Sequence, residues 1–167
     1  MEEDDSFEEL RAEIASWGYV LNTRIAELLK KVSGIDSLRG NTVLHRVARI
    51  GDAGVVELLI KSGHAADILA QNEIGRTPLH LAVLNGHEAV LKKLFQHEGA
   101  TSALMLQDNH GDTPLHHAAL SGNRNIIRQL LSGAVNPQDC VSARNKLDLR
   151  TPLHYAAGMH DPTNALF

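Results

Sequence analysis

The strongest constraint on the fold is a segment that occurs four times along the chain. The copies are GNTVLHRVARIGD from Gly40, GRTPLHLAVLNGH from Gly75, GDTPLHHAALSGN from Gly111 and LRTPLHYAAGMHD from Leu149. Their threonines, at positions 42, 77, 113 and 151, are separated by 35, 36 and 38 residues. Self-similarity at a period of about 20 to 50 residues is typical of repeat architectures. The sequence therefore predicts a row of similar units.

Each copy and the residues after it predict a pair of helices. Threonine is a good N-cap, and the prolines that follow (Pro78, Pro114 and Pro152) suit the first helical turn, where their missing N–H is not needed. Gly51, Gly86 and Gly122 are expected to end this inner helix, and apolar residues at three-to-four-residue spacing predict an outer helix after each of them. Gly63, Gly99 and Gly133 are expected to end the outer helices as left-handed residues. Such a pair buries its apolar stripe only by stacking on a neighbour.

The Thr-Pro-Leu-His-x-Ala segments resemble the ankyrin repeat, whose signature and period of about 33 residues they match closely. The resemblance covers about residues 36–167 and implies an all-α fold, a solenoid of stacked helix-turn-helix units with an N-terminal helical cap. Repeats are expected at about residues 36–72, 73–108, 109–146 and 147–167, the last one incomplete. The resemblance also implies that the signature histidines form hydrogen bonds between adjacent turns; these are His45, His80, His116 and His154.

Both ends of the chain and one connection depart from this pattern. Residues 1–35 are expected to form an acidic tip and two capping helices. Asp161 and Pro162 predict the start of a fourth outer helix, which we interpret as cut short at Phe167. The connection over residues 136–148 is longer than its counterparts, and Leu149 replaces the glycine of the tight turn. The conformation of that finger is therefore left open.

Composition and motifs argue against several classes of protein. No apolar run is longer than Ala103–Leu106, far short of the roughly 20 residues that cross a bilayer, and the acidic N-terminus is unlike a secretory signal. The single cysteine, Cys140, cannot form an internal disulfide, which fits a reducing compartment. Patterns such as HExxH, CxxC, the Walker loop and G-x-G-x-x-G do not occur. We therefore expect no metal site, no cofactor and no catalysis.

The candidate partner-binding residues are those at the finger tips and on the exposed side of the inner helices, where the resemblance places binding. Positions one, four and five residues after each signature histidine share a helical face. The selected residues are Arg39, Arg46, Arg49, Ile50, Arg76, Leu84, His110, Asp112, His117, Leu120 and Tyr155. Arginines dominate the N-terminal half of this set, aliphatic residues the middle, and histidine and tyrosine the C-terminal half. This order predicts an extended or helical peptide with an acidic end and one or two apolar anchors.

The charge distribution favours a protein partner over nucleic acid. Seven acidic residues and one arginine give residues 1–13 a net charge of −6, which leaves +2 for residues 14–167 when the whole chain carries −4. Aromatic residues make up only 4% of the chain. A nucleic-acid-binding surface usually needs a clustered basic patch, and single-strand binding adds aromatic stacking. We therefore expect a protein or peptide partner, no nucleic acid and a monomeric chain.

The leading functional hypothesis is a protein–protein interaction module in the cytoplasm, without catalysis of its own. An alternative is that the chain recruits a substrate or partner for a larger enzyme or bacterial effector whose catalytic domain lies elsewhere. In that case the effector would act in the cytosol or nucleus of a host cell. A purely structural spacer is a further alternative, and it should lack a continuous apolar patch on the binding side.

Overall fold

The computed structural model describes residues 40–61 and 68–158, and the regular elements in these ranges are all helical. In chain order they are α1 (Val43–Ile50), α2 (Ala53–Lys61), α3 (Pro78–Leu84), α4 (Glu88–Leu94), α5 (Gly99–Ala103), α6 (Pro114–Ser121), α7 (Arg124–Gly133), α8 (Pro137–Ser142) and α9 (Pro152–Gly158). The all-α class predicted from the sequence is therefore confirmed.

The inner helices α1, α3, α6 and α9 follow the four signature threonines. The side chains of Thr42 and Thr77 accept hydrogen bonds from the backbone N–H three residues later. In the first three units the Nδ1 atom of the signature histidine accepts from the threonine N–H, at 3.1 to 3.2 Å. These reciprocal bonds form a capping box, which satisfies donors that a helix start otherwise leaves unpaired. Gly51 and Gly122 then end α1 and α6 with φ of 93° and 67°.

The helices stack in two rows, as the repeat predicted. The inner row is α1, α3, α6 and α9, and the outer row is α2, α4 and α7. The core between the rows contains the signature leucines Leu44, Leu79 and Leu115, all buried. Outer-helix residues such as Val55, Val90, Leu91, Ile126 and Leu130 complete it. Full burial of an aliphatic side chain contributes about 1.5 to 3 kcal/mol, so this continuous core is the main source of stability.

A ladder of histidines joins each unit to the next. The Nε2 atom of His45 lies 2.8 Å from the carbonyl oxygen of Arg76. His80 meets the Asp112 carbonyl at 3.1 Å and His116 meets the Arg150 carbonyl at 3.0 Å. Because Nδ1 accepts the threonine N–H, the ring proton lies on Nε2, which donates to the carbonyl. The bonding between adjacent turns that the resemblance implied is present at these three interfaces.

This tautomer requires a neutral imidazole. Burial lowers the pKa of His80 from its usual 6.5 to about 4, although the hydrogen bond to the Asp112 carbonyl acts in the opposite direction. The unfolded chain takes up a proton at this residue near pH 6.5, whereas the folded chain does so only near pH 4. The contribution of neutral His80 to the free energy of unfolding is therefore complete above pH 6.5 and is lost as the pH falls towards 4.

We expect the free energy of unfolding to fall by about 2 kcal/mol between about pH 7 and pH 5 through His80 alone. The free energy of unfolding is measured by denaturant titration for the wild type and for His80→Gln at both pH values. The contribution of His80 is the amount by which the change with pH is larger in the wild type than in the variant. His154→Gln is the matched control, because His154 is the exposed copy of the same position. An identical pH dependence in the wild type and His80→Gln would contradict the assignment.

The finger before the fourth unit keeps the tight turn despite its substitution. Leu149 has a φ of 58°, close to the 74° of Gly75 and the 83° of Gly111 at the equivalent positions. The backbone N–H of Asn145 donates to the Arg150 carbonyl at 2.9 Å, as that of Asn72 donates to Arg76 at 3.0 Å. A leucine in this conformation costs on the order of 1 kcal/mol. The backbone hydrogen bonding of the finger outweighs this cost.

The prediction that Gly99 and Gly133 end outer helices as left-handed residues was wrong. Gly99 is the first residue of α5 and Gly133 the last residue of α7, and neither has a positive φ. A Cβ atom at Gly133 would lie 2.6 Å from the ring of Phe95, and one at Gly99 would lie 2.8 Å from a methyl group of Ile68. Glycine is needed there for close packing and not for a left-handed turn. The extra residues of the second and third units form α5 and α8, which the sequence analysis did not predict.

Several predictions lie outside the described residues. These are the N-terminal cap over residues 1–35, the binding residue Arg39, the helix-ending role of Gly63 and the fourth outer helix from Asp161.

Candidate binding surface

Three large apolar side chains remain exposed near the ends of successive inner helices. Ile50 on α1, Leu84 on α3 and Leu120 on α6 are 38%, 39% and 49% exposed. Since α1, α3 and α6 pack side by side, these residues follow one another along the stack. We call this surface, together with Arg46, Arg49 and Arg76, the groove face. Its apolar part is what a binding surface requires and what a purely structural spacer should lack.

The arginines lie at the N-terminal end of the groove face. Arg46 and Arg49 are partly buried on α1, and Arg76 lies in the finger before α3. Arg49, Arg76 and Leu84 line one cavity of about 250 Å³, together with Asn41, Asn72 and Asn85. The structure therefore brings together two predicted arginines and one predicted apolar residue. A guanidinium beside an apolar wall suits a carboxylate attached to an aliphatic stem.

Each of the three fingers that the structure describes in full is folded around one Asn or Asp side chain that was not among the predicted site residues. The Oδ1 atom of Asn72 accepts the backbone N–H groups of Ile74 and Arg76. Asp108 and Asn145 do the same in the next two fingers. The signal was available, because an Asn or Asp precedes each signature threonine by five or six residues. These residues fix where the finger tips point.

Asp108 also anchors a buried charged cluster behind the groove face. Its Oδ2 atom lies 3.0 Å from Nε2 of His117 and 3.5 Å from Nε of Arg76. Burial alone raises the pKa of this carboxyl, but the hydrogen bonds from His117 and from the backbone N–H groups outweigh burial and hold the pKa well below its usual value. Asp108 is therefore ionised at neutral pH and holds Arg76 in position.

A second buried chain of hydrogen bonds includes two predicted site residues. The hydroxyl of Tyr155 donates to Oδ1 of Asp112 at 2.7 Å and accepts from Nδ2 of Asn145 at 2.9 Å. Burial and the Asp112 carboxylate raise the pKa of Tyr155 to about 12. The Tyr155 ring also packs edge-on against His116, with centroids 5.2 Å apart. The hydroxyl is thus committed to joining the third and fourth fingers.

The predicted residues consequently fall into two groups. Arg46, Arg49, Ile50, Arg76, Leu84 and Leu120 form the groove face, and His110 is exposed at a finger tip. Asp112 and His117 are buried within the hydrogen-bonded clusters, and Tyr155 is partly buried. The periodicity places these three on the candidate binding side, but it does not reveal that Tyr155 is already hydrogen bonded to Asp112 and Asn145, and His117 to Asp108.

Asp108, Asp112 and His117 have the residue types of a metal site, with ligand atoms within 4.8 Å of one another. Both oxygens of Asp108 accept hydrogen bonds, and Oδ1 of Asp112 accepts that of Tyr155. The Arg76 guanidinium places a positive charge 3.5 Å from Oδ2 of Asp108. A cation would have to displace these bonds and approach that charge, so the cluster is better explained as structural.

Asp108→Asn is expected to lower the free energy of unfolding by about 2 kcal/mol at pH 7, because it removes a buried charge-assisted hydrogen bond. The matched control is Asp148→Asn, which breaks the exposed pair with Arg150 at 2.8 Å and should cost less than about 1 kcal/mol. The difference between wild type and Asp108→Asn should shrink below about pH 4, where the stabilisation by a carboxylate of lowered pKa is lost. Denaturant unfolding gives the free energy of unfolding of the wild type and of both variants. An equal loss in Asp108→Asn and Asp148→Asn would contradict the role given to Asp108.

The two helical rows and the finger-flanked groove face define a helix-turn-helix repeat protein. The chain belongs to the ankyrin repeat family: a family model described as ankyrin repeats (three copies) matches residues 14–105 and again residues 101–166. In the part of the chain described by the structure, no helix is long and apolar enough to cross a membrane.

Several much longer proteins share parts of this sequence. A 65-residue stretch is 40% identical to ankyrin repeat domain-containing protein SOWAHB of Homo sapiens, covering 36% of this chain and 8% of that protein. An 85-residue stretch is 31% identical to ankyrin repeat-containing protein ITN1 of Arabidopsis thaliana, covering 51% of this chain and 14% of that protein. A 58-residue stretch is 38% identical to Rabankyrin-5 of Mus musculus, covering 35% of this chain and 5% of that protein. The chain thus spans only a small part of the length of these relatives.

Proposed function

We propose that this chain is a protein-interaction module that binds a segment of a partner protein along the groove face. The observation that carries the proposal is the row of exposed apolar residues, Ile50, Leu84 and Leu120, on three adjacent inner helices. Aligned apolar side chains beside guanidinium groups are the usual anchors of a protein interface. Ankyrin repeats are in general protein-interaction modules, which agrees with this reading.

The groove face also has a polarity that constrains the partner. Its arginines are at the N-terminal end, and its aliphatic residues continue towards the C-terminal end. A partner segment with an acidic end and one or two apolar anchors complements this order, since guanidinium groups recognise carboxylates well. His110, exposed at the third finger tip, adds a polar side chain on the same unit as Leu120. Asp112, His117 and Tyr155 support the surface from beneath.

The chemistry of the described residues supports a binding role without catalysis. Cys140 is buried with its Sγ atom 3.7 Å from Sδ of Met105, and burial raises the pKa of its thiol. A thiol in this environment is a poor nucleophile. His117 and Asp108 face each other within the protein. A single free cysteine also suits our proposal of a monomeric protein in a reducing, intracellular compartment.

The proposal is tested by affinity capture with the whole chain followed by mass spectrometry, repeated with two matched variants. In the first, Ile50, Leu84 and Leu120 are changed to Glu. In the second, three exposed apolar residues outside the groove face, Leu69, Met105 and Val135, are changed to Glu. We expect specific partners to be lost only with the first variant, while circular dichroism shows both to be folded. Partners retained by the first variant would exclude the groove face as the binding surface.

The polarity has its own test once a partner is known. Changing Arg46 and Arg49 together to Glu should weaken an acidic partner at least about tenfold, because attraction becomes repulsion at two positions. Arg124→Glu with Arg128→Glu, both exposed on α7, is the control with the same change of charge. Titration calorimetry measures both variants. Unchanged affinity in the Arg46/Arg49 variant would contradict the proposal that the arginine end of the groove face binds the acidic end of the partner.

A further inference from the structure

The fourth unit exposes the side on which each earlier unit carries its neighbour. The signature leucines of the first three units are at most 3% exposed, whereas Leu153 of the fourth unit is 74% exposed. Leu153 borders an apolar cleft of about 490 Å³ between α7, α8 and α9, whose other walls include Ile127, Leu131 and Val141. We call this cleft, together with Leu149, Leu153 and His154, the terminal face. It shares no residue with the groove face.

Leu149 prevents a further finger from packing on the fourth finger in the usual way. At the equivalent glycines the next finger comes so close that a side chain does not fit. A Cβ atom at Gly75 would lie 2.7 Å from the backbone nitrogen of Asn109, and one at Gly111 would overlap the backbone nitrogen of Lys146. Leu149 has the same left-handed backbone as these glycines, so its side chain occupies the space that a next finger would need. The occupant of the terminal face therefore differs from a regular repeat unit.

The histidine ladder ends with an unused donor at this face. In the first three units Nε2 of the signature histidine donates to a carbonyl of the next finger. Nδ1 of His154 accepts the Thr151 N–H at 3.2 Å, which leaves the ring proton on Nε2 as in the other units. His154 is exposed, and its Nε2 has no acceptor among the described residues. An occupant with an acceptor at this point gains a hydrogen bond, and a carboxylate gives a stronger one than a neutral group.

The cleft suits a helix better than an extended segment. Its walls come mainly from helices, whose interior backbone groups are already paired. Two of its polar side chains are also in use, because the Ser142 hydroxyl donates to the Gln138 carbonyl at 2.7 Å and the Thr151 hydroxyl lies 2.7 Å from Nδ1 of His154. An extended segment would bury backbone N–H groups with few acceptors, whereas a helix satisfies its own. Aliphatic residues three and four positions apart on a helix fill an apolar groove of this kind.

The chain itself offers two occupants, and both complement the terminal face poorly. Thirteen and fourteen residues after the signature threonine, each of the first three units carries two aliphatic residues that are buried or partly buried. The outer helix predicted from Asp161 would have Asn164 and Ala165 at these positions. A second copy would bring together two faces of the same charge, because residues 143–158 contain three exposed cationic residues and one exposed acidic residue. The same charge favours an acidic partner.

We propose that the terminal face binds an acidic amphipathic helix of a partner protein. Aliphatic residues of that helix, three or four positions apart, pack on Leu149 and into the cleft against Leu153. An aspartate or glutamate on the same side of the helix accepts the hydrogen bond of His154 Nε2. This is a second interaction surface, and it does not rest on the proposed function of the groove face.

Two display libraries test this with the full 167-residue chain as bait. One randomises the exposed face of a helix in a stable helical bundle, and the other randomises an unstructured segment of the same length. Terminal-face binders are those that bind the wild type and Leu69→Glu, the matched change of an exposed leucine elsewhere, but not Leu153→Glu. We expect them from the helix library, with an acid beside aliphatic residues three or four positions apart. Terminal-face binders mainly from the unstructured library, binders without an acid, or none at all would overturn the proposal.

Titration calorimetry of the selected binders tests the hydrogen bond of His154. His154→Ala and replacement of the binder's acid by its amide should each weaken binding about tenfold. The two changes together should weaken it no more than either alone, because they remove the same bond. His154→Gln keeps an N–H donor and should retain most of the affinity, and thermal unfolding of each variant separates lost binding from lost folding. Fully additive effects of the two changes would overturn the assigned contact.

Three further measurements separate the terminal face from the other possibilities. Binders that are also lost on Leu84→Glu with Leu120→Glu would use the groove face. Dimerisation of the chain in analytical ultracentrifugation that disappears in Leu153→Glu would show a second copy as the occupant. Unfolding of Leu166→Glu with Phe167→Glu at a lower temperature, together with tighter binding of the selected helices, would show that the chain's own residues fill the cleft. Each of these results would overturn the proposal, and their absence supports it.

Discussion

The structure depends on one hydrogen-bonded relay, from a threonine N–H through a histidine ring to a main-chain carbonyl of the next unit. The same imidazole closes the capping box of its own helix with Nδ1 and bonds the neighbouring finger with Nε2. At the three described interfaces one side chain therefore both caps a helix and joins two units. Because each ring extends from the cap of one helix to the finger of the next unit, the relay contributes to the stacking of successive inner helices that brings Ile50, Leu84 and Leu120 into one row.

Most of the architecture could be predicted because the same local sequence signals occur in four copies. Caps, prolines and apolar spacing determine where helices begin and which faces are buried, and these features are local. The failures concern contacts between units. Gly133 is glycine because Phe95 packs against it, and no local rule signals such a contact. Leu149 shows the reverse, since a network of finger hydrogen bonds imposes a conformation that leucine disfavours.

The candidate binding surface could be predicted only in part for the same reason. Periodicity places candidate residues on one side of the inner helices, and of these Ile50, Leu84 and Leu120 are exposed. It does not distinguish an exposed side chain from one already bonded within the protein, as Asp112, His117 and Tyr155 are. Asp108 was overlooked because it precedes the signature segment, although the equivalent Asn72 and Asn145 mark the same position.

The acceptors of the histidine relay are the main-chain carbonyls of Arg76, Asp112 and Arg150. Any residue supplies that oxygen, whichever side chain it carries. The backbone can thus maintain the scaffold while an exposed side chain such as that of Arg150 varies, whereas the Asp112 side chain is also needed as the acceptor of the Tyr155 hydroxyl. The exposed side chains of such fingers can therefore change in evolution while the stack of helices stays the same.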